Sequence, residues 1–381
     1  MNCKRTIRIF SRAQGMRVLQ LIALTIGVGL AFCSGVTAQT ISWIERDAYT
    51  LGSSGYIPKL GADAWGNFVV VGQNESGKDV PMFYQTGTVP LTGALDDLSW
   101  NDANNYGIGH SPSIAVAYCA CSGPIYAALM VNQGSQDSGA ALFSHLAPWT
   151  SGTPGWGFTP TPGTLTWTNN QQYDNGYNPS VAIDPTDLAV VEVHQAGVDI
   201  SNLWYHVGGL TGWTTGDAFT GVTWGPAYEF DYGYAPSVSV CNNVAVEVHQ
   251  GDSGTLWYSV GTLSGNEIKW SSSAKYDNGY NPSVSLLCGV TSSNNAVEVH
   301  QASMPGAGKS TELWYHLSTF TALGVSWGPA VKYDSGCYPT TKMFYSPYGS
   351  GNPSTYVTEV HSEACGQAAQ LNYDIGQLVT P

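Results

Sequence analysis

The chain is short of charge. Only 10% of its 381 residues are Asp, Glu, Lys or Arg, while 43% are hydrophobic, so it can fill a core and is not disordered by composition. Positive charge is scarcest. Beyond residue 38 there is a single arginine, Arg46, and 8 basic residues face 27 acidic ones, a net charge near −19. Such a surface repels nucleic-acid phosphates and anionic lipids, so neither is expected as a partner. Long helical periodicity is missing beyond residue 38, and so are HExxH, paired CxxC motifs, a nucleophile elbow and Asp-box runs. Cys119-x-Cys121 alone does not make a metal site, so no metal or cofactor is expected.

What is plentiful is Gly, Tyr and Trp, at 45, 22 and 13 copies. That mix suits many short strands joined by tight turns and packed through aromatic rings.

Residues 1–38 differ from the rest. Lys4, Arg5, Arg8, Arg12 and Arg17 precede an apolar run from Val18 to Cys33, and Val36-Thr37-Ala38 is a small-x-small cleavage pattern. The segment reads as a secretory signal peptide cut near Ala38, with an uncleaved anchor as the alternative. The expected location is secreted, extracellular or periplasmic, with no membrane attachment after cleavage. Residues 39–381 then form one domain.

Six cysteines remain, and export favours disulfides between them.

Beyond residue 38 the chain repeats itself. The best-kept unit reads WxxxxxYDxGYxPSVxx, then AVEVHQ, then LWYxxG, then a new Trp. Four runs recur six times. Run a begins near Pro58, Pro112, Pro179, Pro236, Pro282 and Pro339. Run b holds VEVHQ or its relatives, ending at Gln73, Gln133, Gln195, Gln250, Gln301 and Ser362. Run c is LWY-like, at 82–84, 142–144, 203–205, 256–258, 313–315 and 371–373. Run d carries Trp43, Trp100, Trp167, Trp224, Trp270 and Trp327.

Each run is rich in β-branched or aromatic residues and bounded by Gly, Pro, Asn or Asp, which are strand and turn signals. Fixed repetition of four short strands predicts an all-β fold, a six-bladed β-propeller of four-stranded blades. The repeating part starts in run d and ends in run c. An outer strand from the N-terminal side is therefore expected to complete the C-terminal blade and close the ring. A Gly/Pro/Thr-rich insertion at 148–163 reads as a surface loop.

Alternation along a strand sends Val191, Val193 and Gln195 to one face and Glu192 and His194 to the other. Blades pack face to face, so a Glu there needs a hydrogen-bond donor. Glu192, Glu247, Glu298 and Glu359 are expected to latch one blade to the next. The anticipated donors are Trp indoles, Tyr hydroxyls or backbone amides.

Strands alternate in direction, so d–a and b–c loops open on one face. Cys337 and Cys365 fall at that end of a single hairpin and are expected to pair. Cys241 and Cys288 occupy matching a–b turns of adjacent blades and form a second candidate pair. Tyr177, Tyr234 and Tyr280 lie in the d–a loops. His194-Gln195, His249-Gln250 and His300-Gln301 end run b, and Trp204, Trp257 and Trp314 open run c. This rim offers rings to stack on sugar C–H faces and polar groups for hydroxyls, so these twelve residues are the candidate ligand-binding set.

AVEVHQGDSGTLWY, residues 245–258, resembles the repeat of bacterial propeller lectins of the Photorhabdus-lectin and tachylectin type. The pattern extends over residues 41–377, with His where those repeats carry an aromatic after Glu-Val. The resemblance implies a propeller that binds fucose or other sugars between neighbouring blades. The lone Arg46 argues against the fungal fucose lectins, whose sites use one Arg per blade.

The leading expectation is therefore a secreted, lectin-like propeller whose partners are glycans or glycoconjugates. The alternatives are a non-catalytic scaffold for a secreted or cell-surface protein, and a propeller glycosidase or lyase. Catalysis normally needs one unique constellation, whereas the Glu and His residues here are copies of one another. No catalytic residue is assigned.

Overall fold

In this computed structural model the runs are strands, and every strand pair is antiparallel. The structure describes residues 39–49, 55–63, 66–77, 79–88, 99–119, 125–135, 137, 140–149, 165–212, 219–288, 294–346 and 354–379. The expected signal peptide, nearly all of the 148–163 insertion and the side chains of Cys119 and Cys121 lie outside the described residues. Among those described, the only helix is a short 3-10 turn at Asp252–Gly254, and no helix is long and apolar enough to cross a membrane.

Repeat 4 shows the plan. Run a is β1 (Tyr234–Cys241), run b is β2 (Val244–Gly251) and run c is β3 (Thr255–Ser264). Run d is split into β4 (Glu267–Trp270) and β5 (Ala274–Asn278), both paired to β3. Repeat 3 is split in the same way, whereas after repeats 1, 2 and 5 the outer strand continues without a break into the inner strand of the next repeat. Thr168–Ile183 pairs with run c of repeat 2 through Asp174 and with run b of repeat 3 through Ser180. The N-terminal strand Thr40–Tyr49 pairs with the C-terminal strand Leu371–Val379, Thr40 opposite Val379 and Tyr49 opposite Leu371.

Four devices join neighbouring repeats, and each uses a residue of the motif. The first is the Ser of run a. Ser113, Ser180, Ser237 and Ser283 each accept the N–H of Val181, Val238, Val284 and Thr341 in the following inner strand, at 3.2–3.3 Å. Thr340 of repeat 6 accepts the N–H of Leu60 in repeat 1 at 3.2 Å. The second is the Tyr of run c. Tyr84, Tyr205 and Tyr258 donate to backbone carbonyls of Leu165, Ile268 and Val325 in the next repeat.

The third is the Gln of run b. Gln73, Gln133, Gln195 and Gln301 accept, at Oε1, the N–H of Ser111, Asn178, Ala235 and Tyr338 in the next repeat. These four acceptor sites all face residues with φ between 45 and 56°, a conformation that non-glycine residues rarely hold without such support. The fourth is the run-d Trp. Trp224 stacks on Tyr173, Trp270 on Phe230 and Trp43 on Tyr333, with centroids 4.7–5.0 Å apart. Offset stacking of this kind adds to the apolar area the rings already bury.

The apolar face of run b completes the packing. Val191 and Val193 bury against Val238 and Val240 of the next repeat. Disulfides Cys241–Cys288 and Cys337–Cys365 span Cα–Cα distances of 6.1 and 5.2 Å. The inner strands border a cavity of about 300 Å³, reached by Lys342, Asp63, Asn242 and the Cys241–Cys288 pair.

Candidate functional site

Two layers lie at the end of the sheets where run b meets run c. The deeper one is polar and buried. Glu192, Glu247, Glu298 and Glu359 have no solvent exposure, and the histidine two residues on turns its Nδ1 to Oε2 in each, at 3.1, 3.0, 3.1 and 2.9 Å. The donor is thus in the same strand as the carboxylate, on the same face, where alternation puts residues i and i+2. Glu Oε1 in all four has no hydrogen-bond partner.

The preceding repeat supplies the wall opposite. The Tyr173 hydroxyl lies near Glu192 without a hydrogen bond of good geometry; burial, and then the carboxylate's charge, raise its pKa well above the usual value. Tyr276 stands in the same relation to Glu298. Burial disfavours charge on His249, but Glu247 outweighs it and the imidazole pKa is raised. Burial likewise raises the Glu247 carboxyl, with His249 opposing. His361 is raised for the same reason as His249.

In repeats 3 and 5 a second histidine and an aspartate join. His206 Nε2 is 2.7 Å from Asp174 Oδ2, and its Nδ1 is 2.9 Å from the Gly225 carbonyl. His194 Nε2 is 3.7 Å from the same Asp174 oxygen, and the two imidazoles stack at 5.8 Å. His316, Asp277, Gly328 and His300 repeat this arrangement, at 2.8, 2.7 and 3.9 Å. Burial opposes charge on His206, but Asp174, Glu192 and the Gly225 carbonyl raise its pKa. Repeat 4 has Ser259 in place of the second histidine, in register with Glu247.

Repeats 1 and 2 lose the carboxylate of this layer, and repeat 2 keeps a smaller polar set built on Asn132 and His145. Val70 and Met130 replace the Glu and are fully buried. The ring of Phe83 occupies the space beside Gly72, and Asn132 Oδ1 is bound by His145 Nε2 at 2.9 Å.

The outer layer is the rim. Tyr177, Tyr234 and Tyr280 pair in register with Gln195, Gln250 and Gln301, and all three rings are half-buried. Trp204, Trp257 and Trp314 are half-buried and stand opposite His194, His249 and His300. Trp257 and Tyr280 flank one turn: a Cβ on Gly251 would lie 2.7 Å from the Trp257 indole nitrogen, and one on Gly254 would lie 2.6 Å from the Tyr280 hydroxyl. Gly254 has φ +69, which also favours glycine.

The twelve residues expected at the rim therefore share one end of the sheets but split by depth. His194, His249 and His300 are 1–2% exposed and are held by Glu, while the Gln195 and Gln301 amides are engaged in backbone and side-chain bonds between and within repeats. The aromatic rings and Gln250 are the members left partly exposed. Asp174, Asp277, His206 and His316 did not stand out in the sequence. Their signals were the Asp of YDxGY, read as turn punctuation, and the His that follows LWY only at 206 and 316.

No protein-family model matches the chain, and neither does any curated protein. Among solved structures it is similar to a variant of the NanB sialidase from Streptococcus pneumoniae, with 8% identity and a TM-score of 0.53 over 89% of this chain and 71% of that one. It is similar to NanB with Optactamide at 9% identity and a TM-score of 0.52, over 88% of this chain and 70% of that one. The fucose-specific lectin from Aleuria aurantia aligns at 10% identity and a TM-score of 0.48, over 84% of this chain and 97% of that lectin. At such identity the likeness to NanB establishes a propeller-like all-β fold and nothing about chemistry.

Proposed function

We propose that this chain is a secreted glycan-binding protein, a six-bladed propeller closed by its N-terminal strand. Its sugar sites lie at the rim near the b–c turns, built from Tyr177, Tyr234, Tyr280, Trp204, Trp257 and Trp314. Closure is supported by the pairing of Thr40–Tyr49 with Leu371–Val379 and by the Thr340–Leu60 bond from the sixth repeat to the first. Secretion is supported by the two disulfides and by the basic-then-apolar leader.

The observation that carries the reading is the position of exposed apolar surface. Of the seven exposed large hydrophobic side chains among the described residues, Ile108, Val198, Ile200, Tyr232 and Met304 belong to d–a or b–c segments. Apolar side chains set repeatedly along one rim offer surface that a bound ligand would cover. Aromatic rings beside such a surface, with Asp and Asn close by, suit the C–H faces and hydroxyls of a sugar. Copies of one weak site on one rim would add avidity towards a polyvalent glycan.

A glycan array probed with residues 39–381 tests this. Saturable binding to one sugar class, weakened by Trp257→Ala and Tyr280→Ala in folded protein, is expected. A blank array with folded protein would favour the protein-binding scaffold.

A further inference from the structure

The clusters in repeats 3 and 5 have a property that a latch does not require. Each brings two imidazoles and a carboxylate to one point, with every Nδ1 already engaged. His194 Nδ1 faces Glu192 at 3.1 Å and His206 Nδ1 faces the Gly225 carbonyl at 2.9 Å. An acceptor on Nδ1 places the proton there, so the neutral ring presents the Nε2 lone pair. Nε2 of both rings faces Asp174, whose Oδ2 lies 3.7 Å from His194 and 2.7 Å from His206, so an ion that displaces any proton held there meets both lone pairs. Histidine bound to a metal almost always donates its other nitrogen to a carboxylate or a backbone carbonyl. Both kinds of support are present in each cluster.

We propose that Asp174, His194 and His206 form one divalent transition-metal site, and Asp277, His300 and His316 form a second. Each joins the outer strand of one repeat to strands b and c of the next. Two imidazoles and one carboxylate suit the zinc class of ions (Zn²⁺, Co²⁺, Ni²⁺, Cu²⁺) and not Ca²⁺ or Mg²⁺, which want oxygen ligands. Bonds of about 2.0–2.1 Å in a tetrahedron hold donor atoms about 3.4 Å apart. His206 Nε2 and Asp174 must therefore open from 2.7 Å, while His194 is already near its place at 3.7 Å. Asp174 and Asp277 are 28% and 27% exposed on the side chain, which gives the ion an entry and leaves a fourth position to water.

A proton on His206 Nε2 also satisfies the 2.7 Å contact, but it engages only His206 and Asp174. A metal ion engages all three donors. The near-identical geometry about a hundred residues later, with Nδ1 contacts of 3.1 and 2.7 Å and Nε2 contacts of 3.9 and 2.8 Å, shows that the arrangement belongs to the motif and not to one loop. The Glu of VEVHQ acquires a further role as the group that orients the metal-binding imidazole. Repeat 4 keeps Asp231, Glu247 and His249 but has Ser259, so it lacks one donor.

The test is a Co²⁺ titration of EDTA-treated residues 39–381, followed by visible absorption and by metal content after desalting. Two ions per chain are expected, because the third cluster, Asp334, His361 and Asp374 of repeat 6, offers one imidazole and two carboxylates and so suits this class of ion less well. Asp174→Ser and His316→Ala should each lower the count to one in protein that keeps its far-UV spectrum, and Ser259→His should raise it to three. Failure to retain Co²⁺, or a count unmoved by Asp174→Ser and Ser259→His, would overturn the proposal. Since sugar binding is not measured, the outcome is independent of the glycan reading.

Discussion

Gly279 lies so close to His300 that a Cβ on it would be 2.5 Å from the imidazole Cδ2. The same holds for Gly176 with His194, Gly233 with His249 and Gly336 with His361, at 2.4, 2.3 and 2.2 Å. The Gly of YDxGY is thus fixed by the His of VEVHQ, two motif positions joined through space. Gly279→Ala must displace His300 from Glu298. Overpacking of this kind costs about 1–3 kcal/mol, so urea unfolding should show a loss in that range. Gly209→Ala, where a Cβ would meet nothing within 4 Å, should be close to neutral.

The Glu-His pair of repeat 4 has a natural uncharged counterpart in repeat 2, where Met130 and Asn132 occupy the two positions. Removing only His249 leaves a buried carboxylate without its donor. His249→Ala should cost about 3–5 kcal/mol, as broken buried pairs do. The double change Glu247→Met, His249→Asn should cost less than His249→Ala alone. Chemical denaturation of the two variants checks the order.

Lys59 and Lys342 face a common cleft between the inner strands, where run a of other repeats carries Ser113, Ser180, Ser237, Ser283 and Thr340. Burial lowers both lysines from 10.5 to about 8, and the charge of Lys59 adds to the effect on Lys342. The unfolded chain therefore holds more protons than the native one between about pH 8 and 10.5. The two lysines oppose folding below that window, and their opposition fades as pH rises through it. Lys342→Met should be more stable than the parent at pH 7, and the difference should shrink by pH 9.5. A variant no more stable than the parent at pH 7 would show that solvent in the cleft screens the charge.

Disulfides Cys241–Cys288 and Cys337–Cys365 close segments of 47 and 28 residues. By chain-entropy reasoning each stabilises the fold by about 4 kcal/mol. Non-reducing peptide mapping should recover both linkages. Cys337→Ser with Cys365→Ser should lower the melting temperature by several degrees, about 2–4 °C per kcal/mol for a chain of this size or somewhat less.

Much of the fold was legible because each motif position does the same job in every repeat. The Ser of PSV, the Gln of VEVHQ, the Tyr of LWY and the run-d Trp recur because each touches the neighbouring repeat. Strand pairing and both disulfides followed from counting strands and turns. The depth of the site did not. Alternation puts Glu192 and His194 on one face, and strand pairing sets His206 directly opposite Glu192, but neither can say that Asp174 meets them, because pairing rules fix neighbours within a sheet and not across two packed sheets. Besides the Tyr hydroxyl expected from a neighbouring repeat, the Glu has a donor two residues along its own strand, which alternation alone did not single out. Only the rim aromatics could be placed at the surface from loop direction alone.

The most direct measurement is a tryptophan-fluorescence titration of residues 39–381 with the best sugar from the array, analysed for stoichiometry. Trp204, Trp257 and Trp314 are repeated copies at equivalent half-buried positions, so about three sites are predicted. Trp257→Ala should remove one of them and leave the others. A single site, or a stoichiometry unmoved by Trp257→Ala, would contradict a repeated rim and place the ligand elsewhere on the molecule.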